Sequence, residues 1–361
     1  PLSASPPATP TAAPPMSTTT ATATVVITGN PLGSAALAQP STVLSGDALT
    51  LRRAGTLGET LSGQAGVSAT DFGPQASRPV IRGLDGDRIR VLDNGGAAVD
   101  ASNLSFDHAV AIDPLVVERL EVLRGPAALL YGGNATGGVV NAIDNRIPRS
   151  PLGDAGGRAD LRLGGPAAER AAAALLEGGA GGLNWHADAA RSLSGDLRTP
   201  GFAPQRDGQA EPRTGRVANS SADRSAAAVG ASWADAHGFA GLALDGLRNT
   251  YGVAVDPEVR IRLQRDRLQA AGERRAMAAA SAGLFDSIAW QASRTRYQHQ
   301  EVEGDGAVGT TFRSTGDELR LQATQVARPL AGGTLRGVVG LQAERLDFSA
   351  LGDEAFVPST R

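Results

Sequence analysis

Beyond residue 156, apolar and polar positions alternate with period two over most of the chain. Ala159, Leu161 and Leu163 alternate with Asp160 and Arg162, and Ala227, Val229, Ala231 and Trp233 alternate with small residues. Leu319, Leu321 and Ala323 alternate with Glu318, Arg320, Gln322 and Thr324. This is the pleat of a β-strand with one apolar face and one polar or small face. About nine strands follow one another, the last from about Thr334 to Ala350. A soluble sandwich would bury the apolar face between two sheets. A membrane barrel would turn it toward lipid and keep the polar face in the lumen. Short links at Ala234–Gly238 and Pro329–Gly333 alternate with long ones at about Ser194–Ala222, Thr250–Glu258 and Glu301–Thr315. Short turns at one end and long loops at the other favour the barrel.

Upstream, residues 24–149 follow a mixed αβ pattern. Thr56-Leu57-Gly58-Glu59 is a capping box, and Leu57 and Leu61, four apart, face a core. Arg78–Leu84 and Arg88–Gly95 read as two short strands, with Asp85-Gly86 and Asn94-Gly95 supplying hairpin turns. Asp113-Pro114 predicts a short helix over about Pro114–Glu118. Val117–Pro148 packs a strand, an Arg-Gly-Pro turn, a short helical piece and a Gly-paired turn into a second strand. Residues 1–23 are rich in Pro, Ala and Thr and read as a disordered linker without the basic start and apolar core of a signal peptide. Met16 is an alternative start.

Composition narrows the chemistry. There is no Cys, which excludes disulfide scaffolds and thiolate metal sites. A net charge of -3 argues against a nucleic-acid binder. No run approaches the roughly 18 apolar residues of a membrane helix, which leaves a barrel open. The Gly-rich stretch Tyr131–Gly138 lacks the Lys-Ser/Thr end of a phosphate loop, and no triad or carboxylate pair has supporting context, so no enzyme is expected.

Three segments resemble TonB-dependent outer-membrane receptors of Gram-negative bacteria. Thr22–Gly29 resembles the energy-coupling box near the mature N-terminus, Arg78–Gly95 the central hairpin of the plug, and Val117–Pro148 the end of the plug. The resemblance implies an α+β plug domain at 24–149, followed by an antiparallel transmembrane β-barrel of 22 strands. Residues 156–361 would hold only about the first nine of these, so a fragment is expected. It further implies that Thr24, Val25, Val26, Ile27 and Thr28 pair with the TonB complex of the inner membrane. Arg82 and Arg124 match plug arginines that meet barrel-wall glutamates in the family, and those glutamates lie beyond this chain.

Asp100–Pro114, DASNLSFDHAVAIDP, is similar to the apical plug loop of the zinc-uptake receptors, and Tyr297–Phe312 to one of their extracellular loops. The resemblance places Zn²⁺ on Asp107 and His108 as transported ligand. Zinc takes about four ligands and adjacent residues supply two, so His299, Glu301, Glu303 and Asp305 are barrel candidates. The bland alternative is a solvated acidic loop. His186 is expected to be a hydrogen-bonded wall residue, and His237 lies in a short link without a role. The alternative cargoes are a siderophore, haem or cobalamin. A surface binding protein that transports nothing is a further alternative.

Overall fold

The computed structural model describes residues 41–132, 134–206, 208–276, 283–353 and 355. The linker and the energy-coupling segment Thr24–Thr28 lie outside the described residues. The N-terminal unit contains β1 (Ser41–Ser45), α1 (Gly46–Arg52), α2 (Leu57–Leu61), β2 (Val67–Ala69), β3 (Pro79–Ile81), β4 (Ile89–Asp93), β5 (Gly96–Ala97), β6 (Arg119–Leu123) and β7 (Gly138–Ile143). Its five-stranded sheet has the order β1-β6-β7-β4-β5, with β4 and β7 parallel. Leu49, Leu57, Leu61, Ile81, Leu120, Val122 and Val140 form its core. Each large aliphatic side chain buried there stabilises the unit by about 2 kcal/mol.

Local chemistry explains these elements. The Thr56 hydroxyl oxygen accepts from the Glu59 amide and caps α2. The hydroxyl also donates to the Glu59 carboxylate at 3.2 Å, so the reciprocal half of the predicted capping box is replaced by a side-chain contact. Asn94 and Gly95 both have positive φ, 55° and 87°, and turn β4 into β5 as predicted. Gly125 at φ 75° starts the turn after β6, and a 3₁₀ segment over Pro126–Tyr131 precedes β7. Gly138, at φ 141°, admits no side chain, because a Cβ there would lie 2.7 Å from the Leu123 carbonyl oxygen.

Two local expectations fail. Pro114–Glu118 forms a single turn. The Asp113 carboxylate accepts from the Leu115 amide, and the Glu118 amide is already bonded to the Ile143 carbonyl of β7, so no helix can propagate. Asp85-Gly86 does not join a hairpin. Residues Gly86–Arg88 make a 3₁₀ turn, and β3 pairs with β2 while β4 pairs with β5 and β7.

The second unit begins with β8 (Gly156–Gly164), β9 (Glu169–Ala180) and β10 (Leu183–Ser194). A long connection carries β11 (Arg198–Phe202), β12 (Gln205–Arg206), β13 (Gln209–Ala210) and β14 (Thr214–Arg216) as two small hairpins. Then come β15 (Ala222–Asp235), β16 (Gly238–Val253), β17 (Asp256–Arg275), β18 (Phe285–Val302) and β19 (Val308–Gln325). A further small hairpin of β20 (Arg328–Leu330) and β21 (Gly333–Leu335) precedes β22 (Val338–Gly352). Nine strands form one antiparallel sheet, β22-β19-β18-β17-β16-β15-β10-β9-β8, as the period-two pattern predicts. Its apolar face is the outer one, with Leu161, Val229, Trp233 and Leu242 each more than half exposed. The inner face packs on the N-terminal unit, with Ala226, Leu247 and Tyr251 against Ala101, Ala109 and Ala111.

The predicted loop lengths do not hold at 250–258. There β16 and β17 run on until only residues 254 and 255 separate them, and at 301–315 the connection is residues 303–307. The 20 residues of β17 are about twice a membrane crossing, so this end is extended by strand rather than loop. Continuing the ladder satisfies backbone groups that a loop would leave to water. The final strand also starts later than expected, because Gly333–Leu335 belongs to the small hairpin.

Candidate metal centre

Residues 100–112 form a loop at the far end of the N-terminal unit, closed at its base by Asp100. One carboxylate oxygen accepts from the Ser102 amide at 3.0 Å, and the other accepts from the Ala111 amide at 2.9 Å. The sheet holds this loop through Tyr251, whose hydroxyl accepts from the Ala109 amide at 2.8 Å and donates to the Asp107 carbonyl at 3.0 Å. These contacts point His108 inward, where it is 1% exposed.

His108 meets β18. Tyr297, His299 and Glu301 alternate on that strand and so share its inner face. The His108 Nε2 lies 3.4 Å from Glu301 Oε1, and the His299 Nε2 lies 4.0 Å from the same oxygen. One ligand atom from each of His108, His299 and Glu301 falls within 4.8 Å of the others. Each imidazole has its other nitrogen engaged. His108 Nδ1 sits 3.0 Å from the Ala101 carbonyl, and His299 Nδ1 sits 2.7 Å from the Tyr297 hydroxyl. Such outer contacts fix ring orientation and leave Nε2 free for a metal. The His299 Nε2 is buried with no hydrogen-bond partner among the described residues. Phe312 on β19 packs on both rings, with centroids 5.2 Å from His108 and 4.4 Å from His299. Burial would push the His108 ring down in pKa, but its hydrogen bond to Glu301, the Asp107 charge and the Ala101 carbonyl outweigh it and raise it.

The predicted residues separate into groups. His108, His299 and Glu301 converge. Asp107 does not join them, because its carboxylate is held by the Ser105 hydroxyl, two residues away. Glu303 lies past the end of β18, where its backbone closes the turn to Gly306 and Ala307. Asp305 caps the same turn by accepting from the Ala307 amide. Arg82 is exposed at a positive φ of 52°, and Arg124 is buried and donates to the Thr42 hydroxyl at 3.0 Å. Neither arginine has a carboxylate partner among the described residues. His186 is a wall residue as expected, 3.0 Å from Asp188 and 3.4 Å from Glu177. Sequence reading missed Tyr251, Tyr297 and Phe312. For Tyr297 the signal was present, since Tyr-x-His-x-Glu puts all three side chains on one face of a strand.

A second set of contacts ties the two units deeper along the same inner face, where Arg265 stands opposite Tyr297 and Arg267 opposite Asp245. Arg146 pairs with Asp188 at 3.0 Å, with Asp144 at 3.2 Å and with Asp245 at 3.3 Å. Asp93 pairs with Arg267 at 2.6 Å and Arg265 at 3.0 Å. Burial alone would push the Asp93 carboxyl up, but the two guanidiniums outweigh it and lower it to about 2.

Comparison with known proteins bears on the fold. The family model of the TonB-dependent Receptor Plug Domain matches residues 34–139. The N-terminal unit is a TonB-dependent receptor plug domain. A hemin receptor of Yersinia pestis is 35% identical over 123 residues, which are 34% of this chain and 18% of the relative. The vitamin B12 transporter BtuB of Photobacterium profundum is 30% identical over 174 residues, 46% of this chain and 26% of the relative. Among solved structures, the copper transporter OprC superposes with a TM-score of 0.67 at 18% identity, covering 86% of this chain and 46% of OprC. The ferric enterobactin receptor PfeA of Pseudomonas aeruginosa gives 0.65 at 14% identity, covering 86% of this chain and 50% of PfeA. The matches thus span about a quarter or less of these curated relatives and about half of the solved chains. A plug domain against an antiparallel barrel sheet is the fold that this chain shares with those solved receptors.

Proposed function

We propose that this chain is the plug and first barrel strands of a TonB-dependent receptor that imports a divalent transition metal, zinc being the best fit. The observation that carries this reading is the convergence of His108 from the plug with His299 and Glu301 from the barrel wall. Two imidazoles and a carboxylate are a normal zinc donor set, and a site with three protein ligands keeps a position open for water or for exchange. That suits cargo that must be released. Asp107 then acts on the site by charge and by placing its neighbour. We divide the chain as linker 1–23, plug 24–149 and barrel part 156–361. Thr24–Thr28 would add as a strand to the TonB complex, and the pull would draw His108 away from the two barrel ligands.

The test is calorimetric zinc binding to the full-length protein, together with zinc uptake in cells. His108→Ala and His299→Ala should each abolish high-affinity binding, and deletion of residues 24–28 should stop uptake while leaving binding intact. Unchanged affinity in both alanine variants would overturn the site.

An organic cargo is the second reading. Phe72 and Phe106 stack at 5.1 Å beside the apical loop, with the Arg78 guanidinium 4.9 Å over the Phe106 ring, and the relatives are named for hemin, ferric enterobactin and vitamin B12. Phe106→Ala would then weaken binding of such a ligand and leave zinc affinity unchanged.

A further inference from the structure

The outer face of the sheet carries a pattern that the cargo reading does not use. Residues paired across antiparallel strands share a face and form rows. The row Ala240–Gly272–Trp290–Leu321–Leu341 is apolar or small, and so is the next, Leu242–Ala270–Ala292–Leu319–Ala343. One step further from the plug-to-barrel passage, the row Leu244–Leu268–Arg294–Asp317–Arg345 turns to charge. The two rows beyond it, Gly246–Asp266–Arg296–Thr315–Asp347 and Arg248–Gln264–Gln298–Arg313–Ser349, are polar. Arg262 follows on β17. The apolar band therefore ends at a rim of charge.

That rim is not balanced. Asp266 holds Arg248 at 3.0 Å, Asp317 holds Arg294 at 3.6 Å, and Asp347 holds Arg345 at 3.4 Å. Arg262, Arg296 and Arg313 are exposed and have no carboxylate partner among the described residues, Arg313 donating only to Gln298 at 3.3 Å. Below Arg296 a groove of about 830 Å³ opens on the same face, lined by Leu176, Val229, Leu244 and Leu268 and bordered by Arg294, Arg296 and Asp266, whose carboxylate is taken by Arg248. An apolar trough with guanidiniums at its upper edge is complementary to an amphiphile with anionic oxygens at one end. Arg supplies planar paired donors that match phosphate. A residue just outside an apolar band sits at the depth of lipid headgroups.

We propose that Arg262, Arg296 and Arg313 bind the phosphate groups of an outer-leaflet lipid whose acyl chain lies in the Leu244–Leu268 groove. The proposal rests on the sheet spanning the membrane and is independent of the cargo.

The test uses the full-length receptor, wild type and R262Q/R296Q/R313Q, in detergent. Bisphosphorylated lipid A, the same lipid with its phosphates removed, and inorganic phosphate are the three probes. The wild type should retain phosphorylated lipid A through gel filtration, and affinity should fall about fivefold for each arginine removed. Dephosphorylated lipid should not be retained, and inorganic phosphate should not displace the intact lipid. Equal retention by the variant, equal retention of the dephosphorylated lipid, or displacement by inorganic phosphate would each overturn the proposal. Heat-modifiable migration reports folding, and single variants replace the triple one if it misfolds. Zinc affinity should be unchanged throughout, which separates a failure here from a failure of the metal reading.

Discussion

His299 is the residue whose surroundings demand most explanation. Its Nδ1 is held by Tyr297 while its Nε2 faces a buried space shared with His108 and Glu301. An unpaired buried polar atom costs about 1–3 kcal/mol, and on the proposed reading a bound metal would supply the missing partner. Removing the Tyr297 hydroxyl leaves the ligands in place but frees the ring. Tyr297→Phe should therefore weaken zinc binding about 10–100-fold, and His299→Ala by more. Titration calorimetry with both variants reads the difference. Asp93 supplies the pH-sensitive residue. Its folded value, about 2, lies below the ordinary 3.8. A depressed carboxyl stabilises the fold fully above the ordinary value and loses that contribution as pH falls from about 4 to about 2, roughly 2 kcal/mol in all. Urea unfolding at pH 5 and pH 2 should show this loss, and Asp93→Asn should remove the pH-dependent part while destabilising at both.

At the scale of elements, close backbone approach governs how the plug seats. Gly230 on β15 passes the segment that leaves the plug, where a Cβ would fall 1.8 Å from the Arg146 carbonyl oxygen. Neither backbone can move without disturbing the ion pairs of Arg146 with Asp188 and Asp245. Gly230→Val should cost about 1–3 kcal/mol as overpacking and lower the melting temperature. It should also make the 144–155 segment accessible to protease, while zinc affinity at the His108–His299 cluster changes little. The failed helix at 114–118 belongs to this scale too. Cap and proline were read correctly, yet one turn formed because the following residues were already paired in the sheet. Tertiary pairing outweighed a local signal worth about 1 kcal/mol.

For the whole molecule, the two anchorages occupy successive levels of the sheet's inner face, Arg265 standing opposite Tyr297, and they differ in kind. The apical contact, made by His108, Tyr251, His299 and Glu301, is where cargo would bind. The deeper one is a buried ion network whose charges are expensive to separate, about 3–5 kcal/mol for each broken pair. Pull applied through the N-terminal segment should therefore part the apical contact before it breaks the ion network. Single-molecule extension from residue 24, with and without zinc, reads this directly: zinc should raise the force of the first opening and leave later ones unchanged. An effect on every step would contradict the division.

The sequence by itself determined a great deal. Period-two alternation marked about nine strands and their two faces, because a strand's side chains alternate whatever surrounds them, but which face turns outward was decided by the packing of the other on the plug. Glycines at positive φ fixed the turns around β6 and β7, and the capping box fixed α2, since each rests on a few adjacent residues. Asp107 and His108 were legible only as a pair, and Glu301 and Glu303 only as equals. The tertiary structure separated them. Neighbours in sequence point to different sides of the apical loop, so Asp107 turns to Ser105 while His108 turns to the barrel. Glu301 remains on the inner face of β18, while Glu303 passes into the turn. A site built from residues nearly 200 positions apart depends on which sheet face meets which loop, and that is decided by packing between plug and barrel rather than by any local pattern.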